Sequence, residues 1–249
     1  MWYFCPKLLV GLTIGFIGFT IVGTISHEAG HYIVAKYYGF DATIHYGYTD
    51  FGKMPTHYRQ NAEAIKALRD KYKLIKKRGE HYFLADSVDF PEKPYYETLV
   101  QQQQQTLFPI HLGGPVQTMM TGTIGWGLLI LNRQWWRGQK TLSVAVWLII
   151  FVALFWLRQS FNFVMAIYAM LMKGEWSSRM DEVKIANDLQ LWPATISLIT
   201  GLAGLYVLAF ISLRVVPKTQ RLTFLVSGLV GGLLGFWIWL GWLGPKLMP

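Results

Sequence analysis

His27, Glu28 and His31 spell His-Glu-x-x-His in the run Ile25-Ser-His-Glu-Ala-Gly-His-Tyr-Ile-Val34. Two histidines four residues apart share one face of a helix, so both imidazoles can hold a single Zn²⁺. The glutamate between them can take a proton from the attacking water. The chemistry this pattern serves is metal-assisted hydrolysis. In a chain of this composition it arises by chance roughly 0.004 times, so accident is a weak explanation. The competing reading is a polar helix end with two interfacial histidines. It is disfavoured because ionisable groups at membrane depth are costly and usually functional.

The motif closes a charge-free stretch long enough to cross a bilayer. Such stretches run from Leu8 to Ser26, Leu107 to Asn132, Thr141 to Leu157, Leu189 to Leu213 and Leu222 to Pro245. Each is near or above the roughly 17 to 25 residues that a spanning helix needs. With 53% hydrophobic residues, the chain reads as a mainly α, polytopic membrane protein with about five transmembrane helices. The first stretch continues into His27 and Lys36 without a small-residue cleavage site, so it reads as a retained helix rather than a signal peptide.

Counting crossings fixes which loops share a side. If the first helix runs from side A to side B, the second returns to A and the third comes back to B. The segment from Lys173 to Trp192 then emerges on the side of the histidines. Zinc needs a further protein ligand, and this segment carries Asp181 and Glu182. Side A receives Lys7, Arg133, Arg137, Lys140, Arg214, Lys218 and Arg221 with no acidic residue, which taken alone makes it cytoplasmic. The basic cluster from Lys66 to Arg78 on side B opposes that assignment from a distance at which the rule weakens, so the orientation is left open.

Residues 39–106 form the one sizeable extramembrane insertion, small and α+β. Ala42 to Phe51 has the aromatic and β-branched content of a strand. Pro55 to Gly79 reads as a basic amphipathic helix, with Ala64, Ile65, Leu68, Tyr72 and Ile75 on its apolar face. His81 to Val88 can return as a second strand, and Gln101 to Gln105 is the polar start of the second span. Thr141 to Met172 as one helix would be about 48 Å long against a hydrocarbon core of about 30 Å, so it must tilt, protrude or break. Arg158 and Asn162 interrupt it near the depth of the zinc motif, as a snorkelling or interhelical pair or as substrate contacts.

The net charge of +9 sits mostly in loops between apolar stretches, which favours anionic lipid headgroups over nucleic acid. A single cysteine, Cys5, excludes an intramolecular disulfide. Gly11, Gly15, Gly18 and Gly23 suggest close helix packing along the first span.

His27-Glu-Ala-Gly-His31 in a membrane helix, Leu112-Gly-Gly-Pro-Val116 in the next span and Met180-Asp-Glu-Val-Lys-Ile-Ala186 after the third resemble the site-2 protease family of intramembrane zinc metallopeptidases. The likeness covers roughly residues 8 to 193. It implies a three-helix metalloprotease core in which His27, His31 and Asp181 hold Zn²⁺ and Glu28 is the base. Two departures stand out. Glu182 follows Asp181 where the family usually has glycine, and Asn162 has no nearby proline. Glu182 is the substitute ligand. Ser178-Arg-Met-Asp181 also fits a variant capping box, which would make Asp181 a helix-cap residue.

On this reading residues 1–38 form the zinc-motif helix, 39–106 the insertion, 107–193 the second and third core spans with the third-ligand segment, and 194–249 two further spans. The partners are the lipid bilayer and a membrane-protein or peptide substrate, in a multi-pass protein of the cell membrane with its oligomeric state open. A transmembrane substrate must unwind before its carbonyl is accessible, because a helix satisfies its own backbone hydrogen bonds. Ala42 to Phe51 could hold it by edge pairing. Asn162, Gly113 and Gly114 are candidate substrate contacts, with helix packing the main alternative for the two glycines. His111 is a possible accessory to the site. Two other function classes are a membrane-anchored zincin with Glu63 as third ligand and a non-catalytic metal-binding scaffold.

Overall fold

The computed structural model describes residues 5–72, 75–78, 81–84, 89–177 and 180–249. The chain is mainly helical, and four of its helices are long and apolar enough to cross a membrane: Pro6–Tyr37, Val144–Lys173, Thr195–Val215 and Lys218–Leu247.

Helix α1 (Pro6–Tyr37) starts with proline in its first turn, where the missing N–H costs nothing. Tyr38 is its C-cap, and Gly39 follows with a φ of +81° that turns the chain out of the helix. Strands β1 (Thr43–Ile44) and β2 (Thr49–Asp50) then pair antiparallel, with Thr43 opposite Asp50 and Ile44 opposite Thr49. The expected strand from Ala42 to Phe51 is therefore a hairpin whose middle is its turn.

Helix α2 (Thr56–Tyr72) buries Ile65 and Leu68 as the apolar period requires. It stops short of Gly79, and residues 75–78 form strand β3 (Ile75–Arg78), paired antiparallel with β4 (His81–Leu84). The remainder of the expected second strand, 85–88, lies outside the described residues.

Helix α3 (Lys93–Leu131) runs unbroken through residues 106 and 107 and contains Pro109 and Pro115. It is not among the four most apolar helices. Its inward face carries buried Gly114, Thr118, Gly122 and Gly125, whereas Val116, Met120, Ile124 and Leu128 are exposed at four-residue intervals. Within the Val144–Lys173 helix the α-helical pattern is interrupted: α4 (Val144–Ala153) passes through a 3-10 turn at residues 154–156 into α5 (Leu157–Lys173). Short α6 (Asp181–Asp188) precedes α7 (Thr195–Phe210), and α8 (Arg221–Ile238) bends through a π-helical turn at 239–243 into α9 (Gly244–Leu247).

Contacts between helices give their relative directions. His27 meets Thr118 and His31 meets Ile110, so α3 runs antiparallel to α1. The Cys5 amide donates to Thr223 Oγ1 at 3.2 Å and Ser227 Oγ donates to the Leu9 carbonyl at 3.2 Å, so α8 lies parallel to α1. Phe16 packs against Gly231 and Thr20 against Gly235, whereas Gly11, Gly18 and Gly23 face open space and only Gly15 meets a neighbour, the Phe151 ring. The close approach between these two helices is thus made by glycines of α8, opposite the larger side chains of α1.

The main core joins Leu12, Phe16, Leu129, Ile150, Phe151, Ile211 and Phe224 from α1, α3, α4, the end of α7 and α8. A second cluster of Ala35, Phe40, Ala42, Tyr58 and Ile110 fastens the insertion onto α1 and α3. The hairpin turn is also held from the C-terminal side: Trp239 Nε1 donates to the Tyr46 carbonyl at 2.6 Å, and the Tyr46 amide donates to the Met248 carbonyl at 3.1 Å.

Candidate metal centre

The site begins with helical periodicity. His27 and His31 lie one turn apart on α1 and are 1% and 6% exposed. Their Nε2 atoms are 3.2 Å apart, and Asp181 Oδ2 stands 3.3 Å from the first and 3.1 Å from the second. Of the described residues, these three alone group as potential metal ligands.

The outer nitrogens of the imidazoles are committed elsewhere. His31 Nδ1 is 2.6 Å from the Ile110 carbonyl, which can only accept. His27 Nδ1 is 3.0 Å from Thr118 Oγ1, whose own proton goes to the Gly114 carbonyl at 2.9 Å. Both Nδ1 atoms are therefore the donors, and both Nε2 atoms present lone pairs to each other and to a carboxylate oxygen. Three acceptors at 3.1 to 3.3 Å repel unless a metal ion, or the second proton of an imidazolium, sits among them. Donor atoms about 2.0 to 2.2 Å from a tetrahedral zinc stand about 3.3 to 3.6 Å apart, close to the observed spacing. The backbone carbonyl and hydroxyl behind the imidazoles are the supports that metal-ligating histidines require.

Helix α3 contributes the space for an ion. At Gly30 and Gly113 the backbones of α1 and α3 touch, and a Cβ on either would collide with the other's carbonyl. At Gly114 a Cβ would collide with His31 Nε2 and stand 2.6 Å from His27 Nε2. Pro115 removes a backbone donor in the same turn, loosening the helix where the Ile110 carbonyl also takes the imidazole.

Asp181 opens α6, with Met180 at its N-cap position and no side-chain capping bond. Its carboxylate turns to the imidazoles, and Oδ1 accepts from Lys184 Nζ at 3.2 Å. The capping-box alternative involves Ser178, which lies outside the described residues. Glu182 points away from the imidazoles. It is fully buried and accepts from Asn162 Nδ2 at 2.9 Å, and burial pushes its carboxyl above the ordinary value. Glu63, the third ligand required by the zincin alternative, is exposed on α2 and lies 4.0 Å from Arg59, outside the cluster.

Glu28 faces a cavity of about 310 Å³ together with His31, Tyr48, Thr49, His111, Arg158, Asn162, Asp181 and Lys184. Thr49 Oγ1 is 3.1 Å from Glu28 Oε2 and 3.0 Å from the Glu28 carbonyl, so the β2 strand steadies the glutamate. Arg158 Nη2 is 3.8 Å from Glu28 Oε1. His111 Nδ1 is 3.0 Å from Asp188 Oδ2 at the cavity wall.

The structure thus gathers His27, Glu28, His31 and Asp181 and adds Thr118, Thr49 and Lys184, which sequence reasoning missed. Thr118 had a signal, because it lies one turn beyond Gly114 on the same helix face. Lys184 had a weaker one at three residues from Asp181. Thr49 had none, since only the hairpin brings it to Glu28. Gly113 is placed at the contact between helices, Gly114 beside the imidazoles, and Asn162 between the cavity and Glu182.

No protein-family model, curated protein or solved structure matches the chain.

Proposed function

We propose that the chain is a zinc-dependent intramembrane metallopeptidase of the site-2 protease kind, hydrolysing a peptide bond in or near a transmembrane segment of a membrane protein. The observation that carries this reading is the convergence of His27 Nε2, His31 Nε2 and Asp181 Oδ2 within 3.3 Å, with Glu28 facing the adjoining cavity. A structural zinc site would use four protein ligands and need no base beside it.

His27, His31 and Asp181 would hold the ion. Zinc, when bound, supplies Lewis acidity, lowering the pKa of water towards about 7 and polarising a carbonyl. Glu28 accepts the proton of the attacking water and delivers it to the departing amine nitrogen. Thr49 orients the glutamate for both transfers. The core spans are α1, α3 and the α4–α5 pair. In this reading α3 is a fifth crossing, with its stripe of Val116, Met120, Ile124 and Leu128 turned to lipid.

The decisive test is Glu28→Gln in protein reconstituted into liposomes with a library of transmembrane-segment peptides. Wild-type protein is expected to cleave members of the library, and the variant to bind zinc at wild-type stoichiometry while cleaving none. Equal cleavage by both proteins would remove Glu28 from the mechanism, and zinc binding with no cleavage by wild type would favour a non-catalytic scaffold.

A further inference from the structure

We propose that Arg158 is a further catalytic residue, binding the carbonyl oxygen of the peptide bond under attack; this deepens the peptidase reading and rests on it. Arg158 is the second residue of α5, immediately after the 3-10 turn that breaks the third core span. Its guanidinium lines the cavity that also holds Glu28, His31 and Asp181. The same side chain borders a second cavity, about 470 Å³ and mostly apolar, lined by Phe16, Phe155, Phe161 and Phe236 among others. Arg158 therefore stands where space suited to an apolar segment meets the polar site.

The charged, imidazole and amide side chains around that site differ in one respect. Glu28 has Thr49, His31 has the Ile110 carbonyl, His111 has Asp188, Asn162 has Glu182, and Asp181 has Lys184, all at 3.2 Å or less. Arg158 has no such partner among the described residues. Its nearest carboxylate oxygen is 3.8 Å away, and its buried Nε has no acceptor. A guanidinium at membrane depth is costly to keep, and one held for packing alone would be expected to use its donors on carbonyls or carboxylates. Here they are left for a visitor. The 3.8 Å separation from Glu28 is close enough to orient the arginine by attraction and too long to occupy its N–H groups.

The chemistry calls for such a donor. As the water oxygen bonds to the carbonyl carbon, the C=O π pair moves onto the carbonyl oxygen and the water proton goes to Glu28. When the C–N bond breaks, that pair returns to re-form C=O, and Glu28 gives its proton to the nitrogen. The carbonyl oxygen bears a full negative charge only between these events. A fixed N–H donor at that oxygen therefore stabilises the transition state more than the bound peptide.

The test uses full-length protein in liposomes, the library peptide cleaved fastest by wild type, and the phosphinate analogue of its scissile bond as a stable tetrahedral mimic. Arg158→Gln is expected to lower kcat about 100-fold or more with KM within about 3-fold. Phosphinate affinity should fall in parallel with kcat, and zinc content should match wild type. Arg158→Lys keeps the charge without the fork and should show the same parallel losses, about 10-fold each. It carries the test if Arg158→Gln does not fold. Unchanged kcat in the folded variants overturns the proposal. So does a loss confined to KM, which would make Arg158 a ground-state anchor, or a loss of zinc, which would make it a support of the metal centre. A wild-type protein that cleaves no member of the library overturns the peptidase reading, and this inference with it.

Discussion

His27 and His31 direct their Nε2 lone pairs at each other across 3.2 Å, with Asp181 Oδ2 closing the third side. Both Nδ1 protons are already given, one to a threonine hydroxyl and one to a backbone carbonyl. Such a group could hold a metal ion, and its properties should change if an ion cannot enter.

Gly114→Ala tests this most directly. Alanine is favoured over glycine in a helix by about 1 kcal/mol, so α3 itself should not suffer. The added Cβ would lie against both Nε2 atoms. Zinc affinity should fall by roughly 10- to 100-fold or more, read by competition with a chromophoric chelator in detergent. Wild-type affinity would mean that the ion sits elsewhere.

Asp181→Ala should reduce zinc occupancy and peptide cleavage together, because two imidazoles hold zinc far less tightly than two imidazoles and a carboxylate. Glu182→Ala should keep its zinc and lose about 0.5 to 1.5 kcal/mol of stability, since it removes the hydrogen bond that Glu182 accepts from the half-buried Asn162 amide. Metal analysis of the two purified variants separates the roles, and the reverse pattern would move the ligand by one residue.

Single cysteines introduced at positions 137 and 173 of a Cys5→Ser background should react with a membrane-impermeant maleimide from opposite sides. Position 137 lies in the connection between α3 and α4, and position 173 at the far end of α5. Labelling of both from one side would contradict the crossing order that brings Asp181 to His27.

Acid should loosen the insertion before it disturbs the metal helices. Glu92 accepts from Lys71 Nζ at 2.8 Å and from the Tyr72 hydroxyl, tying the end of α2 to the start of α3. The Lys71 bond, with that of Tyr72, holds the Glu92 carboxyl below its ordinary value of 4.5. The contribution is therefore complete above about pH 4.5 and is lost as pH falls through the lower, folded value. Hydrogen exchange in α2 should rise over that interval in wild type, with Glu92→Gln already raised at pH 7. Identical exchange in the two proteins at pH 7 would show that the pair does not hold α2.

The motif histidines, their shared helix face and the apolar character of the surrounding helices could be read directly from the chain. These are local properties: a four-residue spacing becomes one face wherever the helix forms, and an uncharged stretch carries its membrane preference with it. Counting apolar stretches also led to Asp181 as a partner of the histidines, and the structure brings its carboxylate to within 3.3 Å of both imidazoles. What the sequence left open required distances between elements remote along the chain. The choice of Asp181 over Glu182 depends on how α6 is rotated against α1, since adjacent helical residues point about 100° apart and only one can face the imidazoles. That residues 75–78 pair with β4 rather than continue α2 depends on a strand partner, which a helical period cannot register. Gly114 reads as a packing glycine until α3 is laid on α1, when a Cβ there would collide with both imidazole Nε2 atoms. Thr49 and Arg158 gain their relation to Glu28 only after the hairpin and the break in the α4–α5 span bring three separate segments to one cavity.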